Sequence, residues 1–239
     1  MRSLKKKLAP FLYTVSMNVL LVYAHSEPSS FTAALHNVAQ NVLSQAGHTI
    51  VVSDLYGVGF NPVADKYDFT TLSGGHYNYM FEQQHASANN LAYSVDIVAE
   101  LKKIQAADII LFHFPLWWSA PPAILKGWFD RILTMGTAWD GEHIFSTGMY
   151  RGKKAGVVVS VGEPESYYRP DGVQKATVQQ ILYPVLHGTL AFCGFDVLEP
   201  FIAYGLTTGN DFSVNEYLRA YTDKLEKLES YPKFIYKYN

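Results

Sequence analysis

Cysteine is nearly absent from this sequence of 239 residues, because Cys193 is the only one. A single cysteine excludes an intramolecular disulfide framework and any metal site built from several thiolates. It also fits a reducing compartment, so we expect a cytoplasmic protein. His25, His113 and His143 lack the spacing of metal ligands and no His-Glu-x-x-His motif is present, so no metal site is expected.

An excess of charge of one sign is missing as well. The chain has 19 Lys and Arg residues against 21 Asp and Glu residues, a formal net charge of −2 at pH 7. Nucleic-acid binding needs a basic surface and is therefore not expected. Pro10 and polar residues interrupt the apolar stretch near the N-terminus, which argues against stable membrane insertion. Residues 1–16, which include the basic run Lys5–Lys7, are expected to be a poorly ordered extension rather than a signal peptide.

Aromatic residues are abundant, with 17 Tyr, 14 Phe and 4 Trp making up 15% of the chain. Such an excess either fills an aromatic-rich core or serves an interface or a planar ligand. Composition leaves both interpretations open, so the positions of the aromatic residues have to decide.

Continuous apolar stretches alternate with helical patterns along the chain. The sequence predicts strands and helices over residues 18–24, 31–46, 48–54, 95–106, 107–114, 123–134, 154–161, 177–193, 195–201 and 215–229. Residues 55–90 are polar and rich in Gly, Tyr and His, which predicts a long irregular segment. Apolar strands separated by helices predict an α/β fold with a central parallel sheet of about five strands and helices on both faces. We expect residues 17–239 to form one such domain.

Parallel sheets of this kind bind ligands beyond the carboxyl ends of their strands. The first loop in that position, residues 25–32, reads His-Ser-Glu-Pro-Ser-Ser-Phe-Thr and opens a helix. Hydroxyl side chains and free amides at a helix N-terminus predict a pyrophosphate site, to which His25 would donate. The alternative is that Ser29 or Ser30 only caps the helix and His25 is simply exposed. The loop has neither a G-x-G-x-x-G fingerprint nor a P-loop lysine.

Two further loops follow the third and fourth predicted strands. Residues 114–122 contain the adjacent Trp117 and Trp118, which suit a flat apolar ligand unless they pack into the core or a subunit interface. In residues 160–168, Gly162 permits a close backbone approach and Tyr168 can donate to a ligand carbonyl, unless this is an ordinary Gly/Pro loop. Together the three loops predict a site for a ligand with a phosphate and a flat ring system, a description that a flavin nucleotide fits.

At these loops the sequence resembles the flavodoxin-like NAD(P)H:quinone oxidoreductases of the DT-diaphorase type. The resemblance is carried, in chain order, by residues 24–31, 51–56, 60–62, 96–100, 106–108, 114–118, 122–129, 192–195 and 197–200. It implies a flavodoxin-like fold, a homodimer with its active site at the dimer interface, and FAD as cofactor, with FMN less expected. It further implies NAD(P)H as co-substrate, a quinone or similar electrophile as acceptor, and ping-pong transfer of two electrons as hydride.

The resemblance also assigns roles to individual residues. The implied flavin contacts are His25, Ser30, Phe31, Thr32, Asn78, Pro115, Leu116, Trp117, Trp118, Ser160, Val161, Gly162, Glu163 and Tyr168. Trp118 and Trp139 are implied to line the substrate pocket. Gln174 stands where the animal enzymes have a His that pairs with the Tyr, and Gln cannot titrate. We therefore expect Tyr168, together with backbone N–H groups, to stabilise the reduced flavin and to be the catalytic residue.

Two other functions compete with this interpretation. Within the same wider family, the chain would be an ancillary regulatory flavoprotein of a membrane transporter, with Lys5–Lys7 touching the membrane surface. Outside that role, it would be a flavodoxin-type one-electron carrier. The Trp117–Trp118 loop and the long C-terminal part of the chain argue against the second alternative.

Overall fold

The computed structural model describes residues 16–206 and 211–234 of the chain. Its centre is a six-stranded parallel sheet in the order β2-β1-β3-β4-β5, with β6 also paired to β4. The strands are β1 (Asn18–Tyr23), β2 (Thr49–Asp54), β3 (Ile109–Pro115), β4 (Lys154–Ser160), β5 (Asp196–Val197) and β6 (Phe201–Ala203). The extension predicted over residues 1–16 lies, apart from Ser16, outside the described residues.

Seven α-helices connect and cover the strands of the described chain. They are α1 (Phe31–Gln45), α2 (Tyr79–Ala88), α3 (Val95–Ala106), α4 (Ala123–Ile132), α5 (Val178–Ile181), α6 (Tyr183–Val185) and α7 (Asp211–Leu225). Short 3₁₀ turns occupy Lys66–Asp68, Phe145–Thr147, Glu165–Tyr167 and Leu228–Ser230, and Leu186–Ala191 is π-helical. Within the two described ranges, no helix has the length and apolar character needed to span a membrane.

The helices cover both faces of the sheet, as the alternation of strand side chains requires. Val19 and Leu21 of β1 face one core, which they share with residues of α1 and α7. Leu20 and Val22 face the other core, which they share with residues of α3 and α4. The predicted α/β fold with a parallel sheet between two helical layers is therefore confirmed.

Four predicted boundaries were wrong. The fifth strand is not continuous over 195–201 but splits into β5 and β6, which pair with β4 on either side of Pro200, a residue without an N–H to donate. The helix predicted over 177–193 is broken into α5, α6 and a π-helical stretch around Pro184. Residues 55–90 are not wholly irregular, because Asn78 caps α2. The last helix begins at Asp211 and ends at Leu225 instead of spanning 215–229.

A buried arginine fixes the long segment between β2 and α3. The guanidinium of Arg131 on α4 lies 2.7 Å from a carboxylate oxygen of Asp68 and 2.7 Å from one of Asp96. The side chains of Arg131 and Asp68 are only 3% and 2% exposed. The Tyr79 hydroxyl donates to the second Asp68 oxygen at 2.7 Å, so the same network orients the start of α2. A buried pair of this kind is costly to break, because removing one partner leaves the other charge without compensation.

Replacing Arg131 by Leu is expected to lower the free energy of unfolding by about 3–5 kcal/mol, since Asp68 is left buried and unpaired. Urea denaturation at pH 7 measures the loss. Adding Asp68→Asn to the Arg131→Leu variant should restore part of it, because the uncompensated charge is removed. A loss below about 1 kcal/mol would instead place the pair among weak surface ion pairs.

A second buried cluster joins β1, α1, β3 and α7. The imidazole of His36 stacks on the ring of Tyr23 with centroids 4.8 Å apart, and its other neighbour is His113, edge-on at 5.3 Å. Nε2 of His113 lies 2.9 Å from the Tyr221 hydroxyl. Burial lowers the pKa of His36 to about 4, against a smaller opposite effect of the Asp54 carboxylate, and lowers the pKa of His113 well below its usual value. The fold therefore holds both histidines neutral.

Acid is expected to destabilise the fold through His36. Because its pKa is near 6.5 when unfolded and about 4 when folded, the unfolded chain binds the proton more readily as pH falls through this window. The contribution is complete above pH 6.5 and declines to a plateau near pH 4, by roughly 3 kcal/mol. Urea denaturation at pH 7 and pH 4.5 should show a smaller acid-induced loss for His36→Phe than for wild type. Leu43→Ala, at a buried position of the same helix, is the control and should keep the wild-type pH dependence, because no ionisable group is changed.

Candidate active site

The three loops singled out in the sequence meet at one edge of the sheet. They follow β1, β3 and β4, which are neighbours in the strand order. The amide of Leu116 donates to the Ser160 carbonyl at 2.9 Å, which joins the second loop to the third. The rings of His25 and Trp117 are 5.6 Å apart and edge-on, which joins the first loop to the second. The structure thus brings together, from distant parts of the chain, the loops expected to form a site.

The first loop ends in an open helix N-terminus. The Ser30 hydroxyl caps α1 by accepting from the amide of Ala33 at 3.1 Å. Within the described residues, no hydrogen-bond acceptor meets the amides of Phe31 and Thr32. The first turn of α1 carries no acidic side chain. Free amides, the helix dipole and the absence of a competing carboxylate in that turn are the features that hold a phosphate.

His25 stands beside this helix start in a defined protonation state. Its Nδ1 accepts a hydrogen bond from the Glu27 amide at 2.9 Å, so Nδ1 carries no proton and the neutral ring is protonated on Nε2. Burial lowers the pKa of His25, although the nearby Glu27 carboxylate acts in the opposite direction. The ring is therefore a neutral donor at pH 7. The Glu27 carboxylate itself accepts from the amide and hydroxyl of Ser29.

The second loop is a tight turn in an unusual conformation. Trp117 and Ala120 exchange two backbone hydrogen bonds of 3.0 Å, which leaves Trp118 and Ser119 as the two turn residues. Both have positive φ, 49° and 58°, as in the type I′ turns that favour Asn and Gly. The turn presents the Trp118 side chain fully to solvent, at 101% relative exposure. A strained backbone that displays a bare indole points to a ligand or a partner.

Backbone hydrogen bonds to the end of β6 and to the residues after it hold the third loop in place. The Val161 amide donates to Ala203 at 2.8 Å and the Glu163 carbonyl accepts from Gly205 at 2.9 Å. Buried Tyr168 packs against Tyr167 and Tyr204, and burial together with the Glu163 charge raises the pKa of its hydroxyl. Tyr168 is therefore protonated at neutral pH and available as a donor.

Hydroxyl and amide side chains also link the loops. The hydroxyls of Thr32 and Ser160 are buried and 2.6 Å apart, so each is already engaged with the other. The predicted contacts of Thr32 and Ser160 with a ligand therefore stay a prediction, and they would use the backbone atoms of the two residues. Gln174, at the position of the animal His, lies in the site, with its Nε2 3.4 Å from the Ser119 hydroxyl.

Two predicted site residues lie elsewhere on the chain. Trp139 donates from its indole to the Leu133 carbonyl and packs edge-on against Phe192 at 5.5 Å. It lines a cavity of about 380 Å³ between α2, α4 and the π-helical stretch, to which the strand-end loops contribute no residue. The side chain of Asn78 is exposed and caps α2 by accepting from the amides of Met80 and Phe81. Among the described residues, no hydrogen bond or ring contact joins Trp139 or Asn78 to the turn that carries Trp118.

The donor set at the strand ends fits a ligand that carries a phosphate at one end and a planar ring at the other. Free amides and a neutral His lie at the start of α1, the aromatic turn lies beside them, and the third loop supplies Tyr168 as a donor. A family model described as the flavodoxin-like fold matches residues 17–227. The chain belongs to this flavodoxin-like family.

Relatives of this flavodoxin-like protein carry consistent names. The ribosyldihydronicotinamide dehydrogenase (quinone) of Homo sapiens is 40% identical over 212 residues, 88% of this chain and 91% of the relative. The NAD(P)H dehydrogenase (quinone) 1 of Cavia porcellus is 37% identical over 210 residues, 87% of this chain and 76% of the relative. A Klebsiella pneumoniae structure, provisionally called a quinone reductase, superposes with a TM-score of 0.88 at 35% identity and covers 93% of this chain and 88% of that one. The resemblance expected from the sequence is confirmed.

The sequence did not predict most of the residues that line the Trp139 cavity of this flavodoxin-like protein. Besides Trp139, the cavity is lined by Tyr79 and Gln83 of α2 and by Thr189 and Phe192. The missed signal is Asn78, an N-cap residue followed by a short helix inside a segment that was expected to be irregular. Gln83 is fixed there, since its side-chain amide donates to the Asp130 carbonyl at 3.0 Å and accepts from the Met135 amide at 3.2 Å.

Replacing Ser119 by Gly is expected to stabilise the flavodoxin-like protein by about 0.5–1 kcal/mol. The gain from relieving the left-handed backbone exceeds the extra entropy that glycine has when unfolded. Thermal unfolding without ligand measures the shift. Ser119→Ala keeps the backbone cost and loses only the long bond to Gln174, so it should melt close to wild type. A Gly variant that is no more stable than the Ala variant would show that the turn is not strained.

Proposed function

We propose that this protein is an FAD-dependent NAD(P)H:quinone oxidoreductase that transfers two electrons as hydride in a ping-pong cycle. The observation that carries the proposal is the meeting of an open helix N-terminus, an aromatic turn and a buried Tyr at one sheet edge. Relatives named quinone dehydrogenases at 37–40% identity over most of the chain support the same chemistry. The acceptor is a quinone or a similar small electrophile.

The helix start holds the pyrophosphate of the flavin. The amides of Phe31 and Thr32 and the Nε2–H of His25 supply neutral donors to it. Ser30 fixes the helix start by capping Ala33. FAD is proposed over FMN because the resemblance is to the FAD-dependent quinone oxidoreductases.

The other two loops hold the ring. The backbone of Pro115–Trp118 and of Ser160–Glu163 lies on adjacent strand ends, with Leu116 bonded to Ser160, so both segments present amides and carbonyls to one ligand edge. A bound flavin supplies the hydride acceptor for the nicotinamide and then the hydride donor for the quinone. The residues of the chain exclude water from that exchange and supply donors to the ring, with Tyr168 as the catalytic residue.

Tyr168→Phe is expected to slow both the reduction of the flavin by NAD(P)H and its reoxidation by quinone by about tenfold, because one donor to the developing negative charge is lost. Anaerobic stopped-flow absorbance separates the two half-reactions. Tyr167→Phe is the matched control, since Tyr167 packs on Tyr168 at 5.3 Å. Half-reaction rates for Tyr168→Phe equal to those of wild type and of the control would remove Tyr168 from the chemistry.

A homodimer completes the pocket in this proposal. Within one chain Trp118 does not line the cavity that Trp139 lines, yet both are predicted to line the substrate pocket. Exposed apolar side chains are available for such an interface, among them Phe81, Tyr183 and Met80, which lines the cavity with Trp139. Two copies that bury these side chains would bring the Trp139 cavity of one over the Trp118 turn of the other.

Subunit mixing tests that arrangement. Trp139→Ala and His25→Ala homodimers should both have low quinone reductase activity, the first through the roof of the pocket and the second through flavin binding. In a mixed dimer one site carries both defects and the other carries none, so mixing the two inactive variants should recover activity. No recovery in a preparation whose mass by light scattering is dimeric would contradict a shared site.

Anaerobic titration of the flavin-supplemented protein with NADH or NADPH, followed by a quinone, tests the function itself. The expected result is a bound-flavin spectrum that bleaches in one two-electron step and returns when quinone is added. A long-wavelength band from stable one-electron reduction would favour the electron-carrier alternative. Absence of any bound flavin would overturn the proposal.

A further inference from the structure

Trp117 makes a contact that the flavin assignments do not explain. Its indole meets the His25 imidazole edge-on, with centroids 5.6 Å apart and planes inclined by 62°. Trp117 is the first residue of the strained turn and is held by two backbone bonds to Ala120, so the backbone that carries the indole is fixed. The contact links the loop expected to bind phosphate with the loop expected to bind the ring.

Among the described residues, only one of the two ring nitrogens of His25 has a hydrogen-bond partner. The Glu27 amide occupies Nδ1 of His25, and within residues 16–206 and 211–234 no acceptor meets Nε2. The charged group that acts on the ring is the Glu27 carboxylate from its own loop, while the β3–α4 side contributes only the uncharged indole. Two directions around the imidazole are therefore fixed, and the Nε2–H is left for a ligand.

We propose that Trp117 is a positioning residue that holds His25 as a neutral Nε2–H donor for the phosphate of the bound flavin nucleotide. The inference rests on the proposed flavin site and adds how that site recognises phosphate. The indole shields the ring from water and restricts its rotation. Shielding accounts for the direction of the His25 pKa, which is lowered although Glu27 acts to raise it. Because its pKa is lowered, the His25 ring stays a neutral donor to lower pH than a free imidazole does.

The experiment compares FAD with riboflavin, which shares the flavin ring but lacks the pyrophosphate and the adenosine. Dissociation constants are measured with the apoprotein by flavin fluorescence at pH 6 and pH 8. Wild type should bind FAD at least about tenfold more tightly than riboflavin, because hydrogen bonds to a charged group discriminate on this scale, and this ratio should change less between pH 6 and pH 8 than it does in Trp117→Ala. His25→Ala should reduce the ratio at both pH values.

Trp117→Ala should reduce the FAD-to-riboflavin ratio about fivefold at pH 8, where the freed imidazole is neutral and mobile, and less at pH 6, where it ionises and attracts phosphate. Trp117→Phe keeps an aromatic edge and should retain most of the ratio. Trp118→Ala is the matched control, since Trp118 lies in the same turn without a ring contact to His25. It should weaken FAD and riboflavin alike and leave the ratio unchanged.

A second readout does not depend on flavin. In an NMR titration of the apoprotein, the His25 pKa should rise by about half a unit or more in Trp117→Ala and stay in place in Trp118→Ala. An unchanged His25 titration together with an unchanged ligand ratio in Trp117→Ala would overturn the inference while leaving the proposed function intact. Failure of wild type to bind either flavin would overturn both.

Discussion

The adjacency of β1, β3 and β4 in the parallel sheet is the constraint on which the rest of the structure depends. The three strands run in the same direction and are hydrogen-bonded in register, so their carboxyl ends reach one edge together. Residues as far apart in the sequence as His25, Trp117 and Tyr168 therefore lie in loops at the same edge of the sheet. The Thr32–Ser160 and Leu116–Ser160 bonds lock the three strand ends together.

A second constraint determines the position of the cavity that Trp139 lines. Charges as well as buried apolar side chains such as Phe60 and Phe69 anchor the long segment between β2 and α3. Arg131 of α4 binds Asp68 and Asp96, and Tyr79 at the start of α2 joins the same network. The helix that lines the cavity is thus oriented from the sheet side by buried ionic contacts, while its outer face is exposed.

Local patterns predicted the sheet well because its strands are buried on both faces and read as continuous apolar runs. The start of α1 was predicted from Ser29 or Ser30 as the N-cap, and in the structure the Ser30 hydroxyl caps the helix. The division of the fifth strand at Pro200 and of the long helix at Pro184 was missed, because apolar periodicity runs through both prolines. Helix α2 was missed because its composition is polar and its orientation comes from tertiary contacts.

The candidate site, like the fold, was predictable from the sequence only in part. Its loops were predictable from their positions after strands, and the structure places them in contact. The conformation of the Trp118–Ser119 turn and the mutual hydrogen bond of Thr32 and Ser160 were not predictable, since both depend on segments far apart in sequence. The cavity that Trp139 lines also has no sequence signature, because α2, α4 and the 186–191 stretch form it together.

The account depends on a flavin nucleotide lying across the three strand ends. A crystal structure of the protein grown with FAD is the most direct test. It should show the pyrophosphate at the amides of Phe31 and Thr32 and at Nε2 of His25, with the ring between the Trp117–Trp118 turn and Tyr168. FAD density at any other place on the molecule, with the three loops empty, would contradict the account.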